Sequence, residues 1–259
     1  MGFPNLRNKH AHDSMFTPKE FLDYQKKIGK YPRFKPPKGV ILCYSGRLLK
    51  HILKNHKTTK AEGFYGEFYL LNETENQIGV LAKFGIGAPV VVALMEELVA
   101  FGVKKFISIG EAGTLQKNLK IRDIVVCDRA IRDEGTSHHY LKHSKYAYAS
   151  KGLTEKVEKV LQRIGQKFIV GASWTTDAPY RETVAEAKQY QKERVATVEM
   201  EASALFAVAK YRNVDIATIF SISDSLAELK WKPKFHLSEK NWEILFQAAK
   251  KTLLDSTDQ

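Results

Sequence analysis

Two glutamates on either side of one methionine are the residues whose types and spacing first point to chemistry. Glu199, Met200 and Glu201 follow a short β-type run, 195–198, and an alanine-rich helix is predicted to begin directly after them. Acids at a strand end and helix start lie where α/β enzymes tend to place ligand groups. A carboxylate there can accept two hydrogen bonds from a vicinal diol such as that of a ribose. The alternative is that both acids only favour the positive end of the helix macrodipole.

Glycine-containing turns precede two other predicted helices. Ser45-Gly46-Arg47 follows the apolar run 39–44, and backbone N–H groups at such a helix start favour an anion. Phe84-Gly-Ile-Gly-Ala-Pro89 places paired glycines and a first-turn proline before the next helix. Gly110-Glu-Ala-Gly-Thr-Leu115 is predicted as a further glycine turn at a strand end; it is not G-x-G-x-x-G and indicates no nicotinamide site.

Alternating strands and helices must position these residues, and the alternation indicates an α/β fold. Predicted strands cover 39–44, 67–71, 78–83, 104–109, 121–127, 168–171, 195–198 and 214–222. Predicted helices cover 18–28, 48–56, 90–101, 153–164, 183–194, a segment after Glu201, and 238–254.

Polar and glycine residues gather at the predicted strand ends, which in an open α/β sheet converge on one crevice. The segment Ser173-Trp-Thr-Thr-Asp-Ala-Pro-Tyr180 is predicted as a polar, aromatic loop, and 128–150 as a polar loop that carries His138 and His139. The strand ends of this kind are Ser45, Phe84, Gly110, Trp174, Glu199 and Asp224.

Length and composition bound the domain organisation. The chain has 259 residues, 44% of them hydrophobic and 27% charged, which suits a globular protein with a real core. Residues 1–37, with the Pro- and Lys-rich connector Tyr31–Lys38 at their end, are predicted to form an N-terminal arm that packs on a neighbouring subunit or frays. The domain then covers 38–259.

The charge, the cysteines and the absence of targeting signals limit the partners and the compartment. The net charge of +12 is diffuse and comes without a nucleic-acid-binding motif, so we interpret it as a solvated basic surface rather than a nucleic-acid site. No apolar run approaches the roughly 18 residues of a membrane helix, and no secretory signal is visible. Cys43 and Cys127 lie in apolar runs, which predicts buried thiols in a cytoplasmic protein and no metal site.

At this point the sequence resembles the nucleoside phosphorylase I superfamily, which includes purine nucleoside phosphorylases, uridine phosphorylases and methylthioadenosine nucleosidases. The resemblance lies in Val198-Glu-Met-Glu-Ala-Ser-Ala-Leu-Phe206, Ser223-Asp224, Gly85-Ile-Gly-Ala-Pro89 and Gly110-x-Ala-Gly-x-Leu-Gln116, and it extends over about residues 38–250. It implies a single α/β domain with a mixed central sheet, and phosphate-dependent cleavage of the N-glycosidic bond of a nucleoside. No metal or organic cofactor is implied, and inorganic phosphate would be the co-substrate.

The resemblance also implies roles for the acids and the base-binding residues. Glu201 would bind the ribose 2′- and 3′-hydroxyls, Met200 would pack on the sugar, and Glu199 would support this site. Asp224 would be the general acid that protonates a purine nitrogen as the base leaves. The remaining candidates are expected to line the base: Trp174, Thr176, Tyr180 and Ser223.

The expected phosphate site departs from the family pattern. Gly46 with Arg47, and Gly110 with Glu111, stand at its two turns, but Ser108 replaces a phosphate-binding arginine and Glu111 replaces a hydroxyl residue. A carboxylate beside phosphate repels it by a few kcal/mol at intermediate dielectric. Glu111 must therefore point away, pair with a base such as Arg47, or indicate a second substrate other than phosphate.

Several alternatives stay open on the sequence. A uridine phosphorylase, a nucleoside hydrolase on the same scaffold, a non-catalytic nucleoside-binding protein and a basic RNA-binding protein compete with a purine nucleoside phosphorylase. Asp224 favours a purine, whereas Arg181 could serve a pyrimidine carbonyl. The resemblance further implies a homodimer or hexamer with active sites completed across the dimer interface. The His138–His139 pair is interpreted as part of a surface loop.

Overall fold

A mixed β-sheet runs through the centre of the protein, and helices cover both of its faces. The computed structural model describes residues 3–6 and 8–255. Within these residues the strands are β1 Gly39–Cys43, β2 Thr58–Ala61, β3 Glu67–Leu71, β4 Ile78–Ala82, β5 Lys105–Thr114, β6 Ile124–Asp133, β7 Tyr146–Tyr148, β8 Ile169–Thr176, β9 Thr197–Glu199, β10 Asp215–Ser225 and β11 Lys232–Pro233. The α-helices are α1 Pro18–Lys27, α2 Gly46–Asn55, α3 Ala88–Phe101, α4 Lys151–Arg163, α5 Val184–Lys192, α6 Ala202–Arg212, α7 Phe235–Ser238 and α8 Trp242–Leu254.

Five of the strands close into a ring. β5 pairs with β10 in parallel, β10 with β6 antiparallel, β6 with β8 in parallel, β8 with β9 in parallel, and β9 with β5 antiparallel. The rest of the sheet extends from β5 through β1, β4 and β3 to the edge strand β2. Closure removes the free strand edges on this side of the sheet, so the backbone of its polar segments finds partners there.

The two faces of the sheet bury separate apolar clusters. In β1, Val40 and Leu42 join one cluster with α3 and α6, while Ile41 and Cys43 join the other with α2, α4 and α8. This alternation has the period of two that a strand imposes. Helix α6 is buried along Ala202–Ala209, which explains why it is rich in alanine: small side chains let it lie close against the strands.

The strands of the ring are longer than the sequence predicted. β5 continues to Thr114, so the expected glycine turn 110–115 is mostly strand, because Gly113 and Thr114 pair with both β9 and β10. β8 continues to Thr176, so the first half of the expected loop 173–180 is strand as well. Likewise β6 reaches Asp133 and β7 lies within the expected loop 128–150. Apolar periodicity could not reveal these extensions, since they are polar or glycine-rich and depend on pairing across the ring.

Smaller corrections concern other boundaries. The edge strand β2 was not predicted, because Thr58–Ala61 is short and largely polar. The closing helix begins at Trp242 rather than at 238, and the short helix α7 precedes it. The predicted strand 67–71 and helix 18–28 agree with β3 and α1 to within one residue.

The N-terminal arm packs on its own chain over its second half. Helix α1 begins with a capping box between Thr17 and Glu20 and lies against α3. The ring of Phe34 stacks on Phe68 at 5.3 Å and meets Phe101 edge-on at 5.2 Å. These contacts anchor the connector to the domain, so this part of the arm is not frayed.

Cys43 and Cys127 are both buried and free, as predicted. Within the part of the chain that the structure describes, no helix is both long and apolar enough to cross a bilayer. The same residues contain no cluster of three or more His, Cys, Asp or Glu side chains that could hold a metal ion.

Candidate active site

The carboxyl ends of four parallel strands meet at one edge of the sheet and define a crevice. β1 runs parallel to β4 and β5, and β5 runs parallel to β10. The segments that leave these strands are the Ser45 turn, the Gly85–Gly87 turn, the end of β5 and the end of β10. The end of β9 joins them because it pairs antiparallel with the last residues of β5. The predicted convergence of polar strand ends therefore holds for these elements.

Glu199 holds the start of helix α6 through hydrogen bonds to its backbone. Its carboxylate accepts the backbone N–H groups of Glu201 at 2.8 Å and Ala202 at 2.7 Å. It also accepts the hydroxyls of Thr175 at 2.6 Å and Ser173 at 3.0 Å. Burial raises the pKa of Glu199, and these donors oppose the rise because they stabilise the charged form. With its oxygens engaged, Glu199 fixes the helix start and does not itself reach into the crevice.

Glu201 is the acid of this pair whose charged form is disfavoured by its surroundings. It is 8% exposed, and its Oε1 accepts the backbone N–H of Gly87 at 2.5 Å. Burial raises its pKa to about 8, and the negative charges of Glu199 and Asp177 add to the rise. A diol that donates to this carboxylate would favour its charged form, which suits Glu201 to the sugar. Met200, between the two acids, is partly buried.

The glycines before α3 bring the backbone up to Glu201. Gly85 and Gly87 have φ values of +96° and +102°, a region that L side chains rarely adopt. Gly87 is also the N-cap of α3, which has Pro89 in its first turn. This geometry turns the N–H of Gly87 toward Glu201 and explains the paired glycines in the sequence.

Asp224 lies at the end of β10 and receives two hydrogen bonds. The Ser223 hydroxyl donates to Oδ1 at 2.7 Å, and the indole N–H of Trp231 donates to Oδ2 at 2.9 Å. The residue is 7% exposed. Burial raises the pKa of Asp224 above its ordinary value, and the two donors act in the opposite direction. A carboxyl with a raised pKa keeps its proton to a higher pH than an ordinary aspartate does, as a general acid requires.

Gly113 of β5 lies between the end of β9 and the end of β10. In the register of the sheet it pairs with Val198 of β9 on one side and with Asp224 of β10 on the other. A Cβ atom at Gly113 would come within 2.8 Å of the Asp224 Oδ2 and within 3.2 Å of a Val198 methyl. Because Gly113 has no side chain, the Asp224 carboxyl has room beside β5. Only β5 then separates Asp224 from the end of β9, and Glu201 follows β9 in the chain.

Arg47 and Glu111 meet at the expected phosphate site, together with two residues the sequence did not single out. Ser45 caps α2 by accepting the N–H of Leu48, which places Gly46 and Arg47 in the first turn. Arg47 forms an ion pair with Glu239, and Ser238 donates a hydrogen bond to Glu111.

Glu111 does not point away from this site. Burial raises its pKa, while the positive charge of Arg47 lowers it and the negative charges of Glu239 and Asp224 raise it. The structure thus brings Arg47 and Glu111 together, with Gly110 beside the ring of Tyr44. Ser108, where the family pattern has an arginine, shares a hydrogen bond of 3.1 Å with the Tyr44 hydroxyl.

The residues expected to line the base differ widely in exposure. Trp174 is 1% exposed, packs on Tyr190 and donates its indole N–H to Asp133 at 2.8 Å, since its segment continues β8 into the core. Tyr180 is 99% exposed in a 3-10 turn on the surface. Thr176 is buried at the end of β8 and accepts the N–H of Ala178. Ser223 remains beside Asp224, as expected for a site residue.

Sequence reasoning missed three residues that act on the predicted acids. Asp177 accepts the N–H of Gly135 at 2.7 Å, and its charge acts on Glu201. Burial, with the charge of Asp224 next, raises the pKa of Glu182 to about 7. Trp231 bonds to Asp224 from a segment predicted only as a loop. Asp177 and Glu182 lie in or beside the polar stretch 173–180, which was the available signal, whereas nothing local marked Trp231.

His138 and His139 lie on a 3-10 turn under the N-terminal arm. His138 bonds to the carbonyl of Arg132 at 3.1 Å, and His139 meets the Lys9 ammonium at 2.8 Å and the ring of Phe3 at 5.1 Å. These contacts agree with their interpretation as part of a surface loop.

Comparison with known proteins gives one consistent family. The sequence model of the phosphorylase superfamily matches residues 38–256. The DeoD-type purine nucleoside phosphorylase of Streptococcus pneumoniae (serotype 19F, strain G54) is 29% identical over 178 residues, which cover 64% of this chain and 75% of that protein. The corresponding protein of Streptococcus thermophilus is 30% identical over 182 residues, covering 64% and 82%.

A solved structure shows the same fold. Uridine phosphorylase from Vibrio fischeri ES114 superimposes with a TM-score of 0.70 over 88% of this chain and 94% of that chain, at 23% sequence identity. The mixed α/β fold, the resemblance and the expectation of an enzyme are therefore confirmed. The match over residues 38–256 leads to one conclusion: the chain belongs to the phosphorylase superfamily.

Proposed function

We propose that this protein is a purine nucleoside phosphorylase, which cleaves the N-glycosidic bond with inorganic phosphate and releases free base and ribose 1-phosphate. The observation that carries the proposal is Asp224: a buried carboxyl with a raised pKa, one strand away from the segment that presents Glu201. This pairing supplies a proton donor for the base and an anchor for the sugar within one crevice.

Glu201 binds the sugar during the reaction. As the bond between C1′ and the base nitrogen breaks, positive charge develops on the sugar ring. Glu201, once ionised by the approach of the two hydroxyls, orients the ribose and places a negative charge on its side of the crevice. Glu199 contributes indirectly, because its bonds to the backbone of Glu201 and Ala202 hold that segment in place.

Asp224 protonates the leaving base. The electron pair of the breaking bond moves to the base, and Asp224 donates its proton to a ring nitrogen of the leaving purine. A purine is favoured because a pyrimidine leaves with its negative charge on carbonyl oxygens. Arg181, the candidate partner for a pyrimidine carbonyl, is exposed in the surface turn that also carries Tyr180.

Phosphate is proposed to bind at the N-terminus of α2, where Arg47 and the backbone N–H groups of the first turn favour an anion. One of its oxygens would form the new bond to C1′. Glu239 now holds the Arg47 guanidinium, so phosphate must compete with this carboxylate. The two side chains are partly exposed, at 56% and 34%, and such a pair is weak enough to be displaced.

Hydrolysis is the second candidate, and one observation favours it. Glu111 places a carboxylate of raised pKa where the second phosphate contact is expected. Such a group could accept a proton from water, and water would then replace phosphate as the nucleophile.

The assembly and compartment are also proposals. We propose a cytoplasmic homodimer or hexamer that acts on a nucleoside and phosphate without a metal or organic cofactor. The 1–37 arm and the 38–259 domain are proposed as its two parts.

Release of free base tests the proposed function. The purified protein is incubated with inosine, adenosine or uridine, with and without phosphate, and the base is measured by chromatography. We expect inosine or adenosine to be cleaved only when phosphate is present. Cleavage that is equally fast without phosphate would support hydrolysis, and cleavage of uridine alone would contradict the purine assignment. No cleavage of any of the three would contradict enzymatic activity on nucleosides.

A further inference from the structure

Trp231 touches the proposed general acid from a segment that follows β10. Its indole N–H lies 2.9 Å from the Asp224 Oδ2, yet 62% of the residue is exposed. Buried tryptophans normally hide most of their ring, so an exposed one whose N–H holds a buried carboxylate is unusual. The strand β11, directly after Trp231, pairs Pro233 with Asp224 and Lys232 with Ser225. The sheet therefore fixes the segment that carries the indole over the end of β10.

We propose that Trp231 is a positioning and specificity residue: its N–H orients the Asp224 carboxyl, and its exposed ring forms the aromatic wall on which the purine base stacks. This inference rests on the proposed function and deepens it, since it assigns a surface for the base beside Asp224.

The position of the indole beside the Asp224 carboxylate supports its role as an aromatic wall for the base. A base nitrogen that receives the Asp224 proton must come within about 2.6–3.2 Å of a carboxylate oxygen. The indole N–H already lies 2.9 Å from one of these oxygens, so a planar base at that distance is close enough to contact the indole ring. The ring of Phe235, 6.4 Å from Trp231 and tilted by 60°, extends the aromatic surface. Aromatic rings are general partners for bases because every base has a π-face.

The hydrogen bond from Trp231 lowers the pKa of Asp224. Carboxyl groups approach Asp224 from two other elements, Glu111 on β5 and Glu182 just before α5. The charge of Asp224 raises the pKa of both of these carboxyls, and burial of Asp224 favours its own protonated form. The hydroxyl of Ser223 and the N–H of Trp231 favour the charged form. Loss of the Trp231 donor should therefore raise the pKa of Asp224 further, since an opposing stabilisation of the carboxylate disappears.

Two substitutions separate the two roles. Trp231→Phe keeps an aromatic ring but removes the N–H, and Trp231→Leu removes both. Tyr148→Leu is the matched control, because Tyr148 is an aromatic residue of similar exposure, 64%, on β7. Each variant is first checked for an unchanged thermal unfolding midpoint. The pH profile of kcat/KM for inosine is then measured at saturating phosphate, together with the KM at the optimum.

The expected results differ between the variants. An acid that must be protonated loses activity as the pH rises through its pKa, so Trp231→Phe should move the basic limb of the profile upward by about one pH unit. Its KM should stay within a few-fold of the unmodified protein. Trp231→Leu should show the same shift and raise the KM about tenfold, the loss expected for one stacked base. Tyr148→Leu should change neither.

A basic limb that stays in place in Trp231→Phe would overturn the role of the N–H, since a merely structural residue would lower the rate at every pH. An unchanged KM in Trp231→Leu would overturn the aromatic wall. Calorimetric binding of free hypoxanthine and adenine separates these results from the proposed function. If the protein cleaves no nucleoside but Trp231→Leu weakens base binding about tenfold, the proposed function fails and the wall stands. Equal binding by Trp231→Leu, or no binding of either base by the unmodified protein, would overturn the wall.

Discussion

Glu201→Gln should make the protein more stable and less active, because the site holds this carboxyl in an unfavourable state that only the sugar relieves. The pKa of Glu201 is about 8 in the folded protein against an ordinary value of 4.5. Below pH 4.5 the group is protonated in both the folded and the unfolded state. Between pH 4.5 and 8 only the folded state keeps the proton, so stability falls as the pH rises through this window.

The size of this loss follows from the shift in pKa. Each pH unit between the two values costs about 1.4 kcal/mol, which gives about 3 kcal/mol at pH 7 and less than about 1 kcal/mol at pH 5. Gln is isosteric and does not titrate, and its amide oxygen can still accept the N–H of Gly87. We therefore expect Glu201→Gln to raise the free energy of unfolding by about 3 kcal/mol at pH 7 and much less at pH 5.

Activity should change in the opposite direction. Hydrogen bonds from the ribose hydroxyls to a charged acceptor are worth about 1.5–3 kcal/mol, against about 0.5–1.5 kcal/mol for a neutral one. Over two such bonds the variant should lose about 2–3 kcal/mol of transition-state stabilisation, or roughly 30-fold to 150-fold in kcat/KM for inosine.

Urea unfolding at pH 5 and pH 7, with steady-state kinetics, measures both effects. Glu96→Gln is the matched control: Glu96 is also a buried carboxylate, but Arg212 holds it through hydrogen bonds of 2.6 and 2.9 Å. It should lower stability by about 2 kcal/mol, since one charge of a buried pair is left unpaired. A Glu201→Gln variant that is less stable at pH 7, or whose gain in stability is equal at the two pH values, would show that the Glu201 carboxyl does not destabilise the folded protein.

Four further substitutions probe the other parts of the crevice. Asp224→Asn should lower kcat on purine nucleosides by about 10²–10⁴-fold with little change in their binding, because a positioned general acid contributes that much; single-turnover kinetics and equilibrium binding measure the two effects. Arg47→Ala should raise the KM for phosphate about tenfold, whereas Glu239→Gln should lower it by freeing the guanidinium, which initial rates at varied phosphate would show. Gly113→Ala should lower kcat at least tenfold and stability by about 1–3 kcal/mol, because its Cβ would displace the Asp224 carboxylate.

Each of these has a contrary outcome. An unchanged single-turnover rate in Asp224→Asn would remove the residue from the chemistry. If Arg47→Ala alters only the KM for the nucleoside, Arg47 is not at the phosphate site. A fully active Gly113→Ala variant would mean that the contact with Asp224 does not constrain the acid.

Local sequence patterns predicted the core strands and drew attention to the acids, because both depend on short-range information. The strand 67–71 and the alanine-rich helix after Glu201 are visible as apolar runs and small-residue composition. The acids at 199, 201 and 224 stand out because a carboxyl group directly after an apolar strand is conspicuous.

The errors arose where pairing across the closed ring determines the structure. The resemblance placed Trp174 in a loop, but β8 continues through it and turns its ring into the core. The resemblance implied different roles for Glu199 and Glu201, but the physical basis of that difference was not visible in sequence. It depends on the hydroxyls of Ser173 and Thr175, which come from a neighbouring strand. Trp231 reaches Asp224 only because β11 folds back on β10.

We propose that Asp224 and Glu201 line one crevice, in which a ribosyl group is transferred from a purine to phosphate. The most direct test is the stoichiometry of products from inosine, with ³¹P NMR to count ribose 1-phosphate and absorbance to count hypoxanthine. We predict one ribose 1-phosphate for each hypoxanthine released, and no release by Asp224→Asn on the same time scale. Hypoxanthine released with free ribose and no ribose 1-phosphate would contradict the claim.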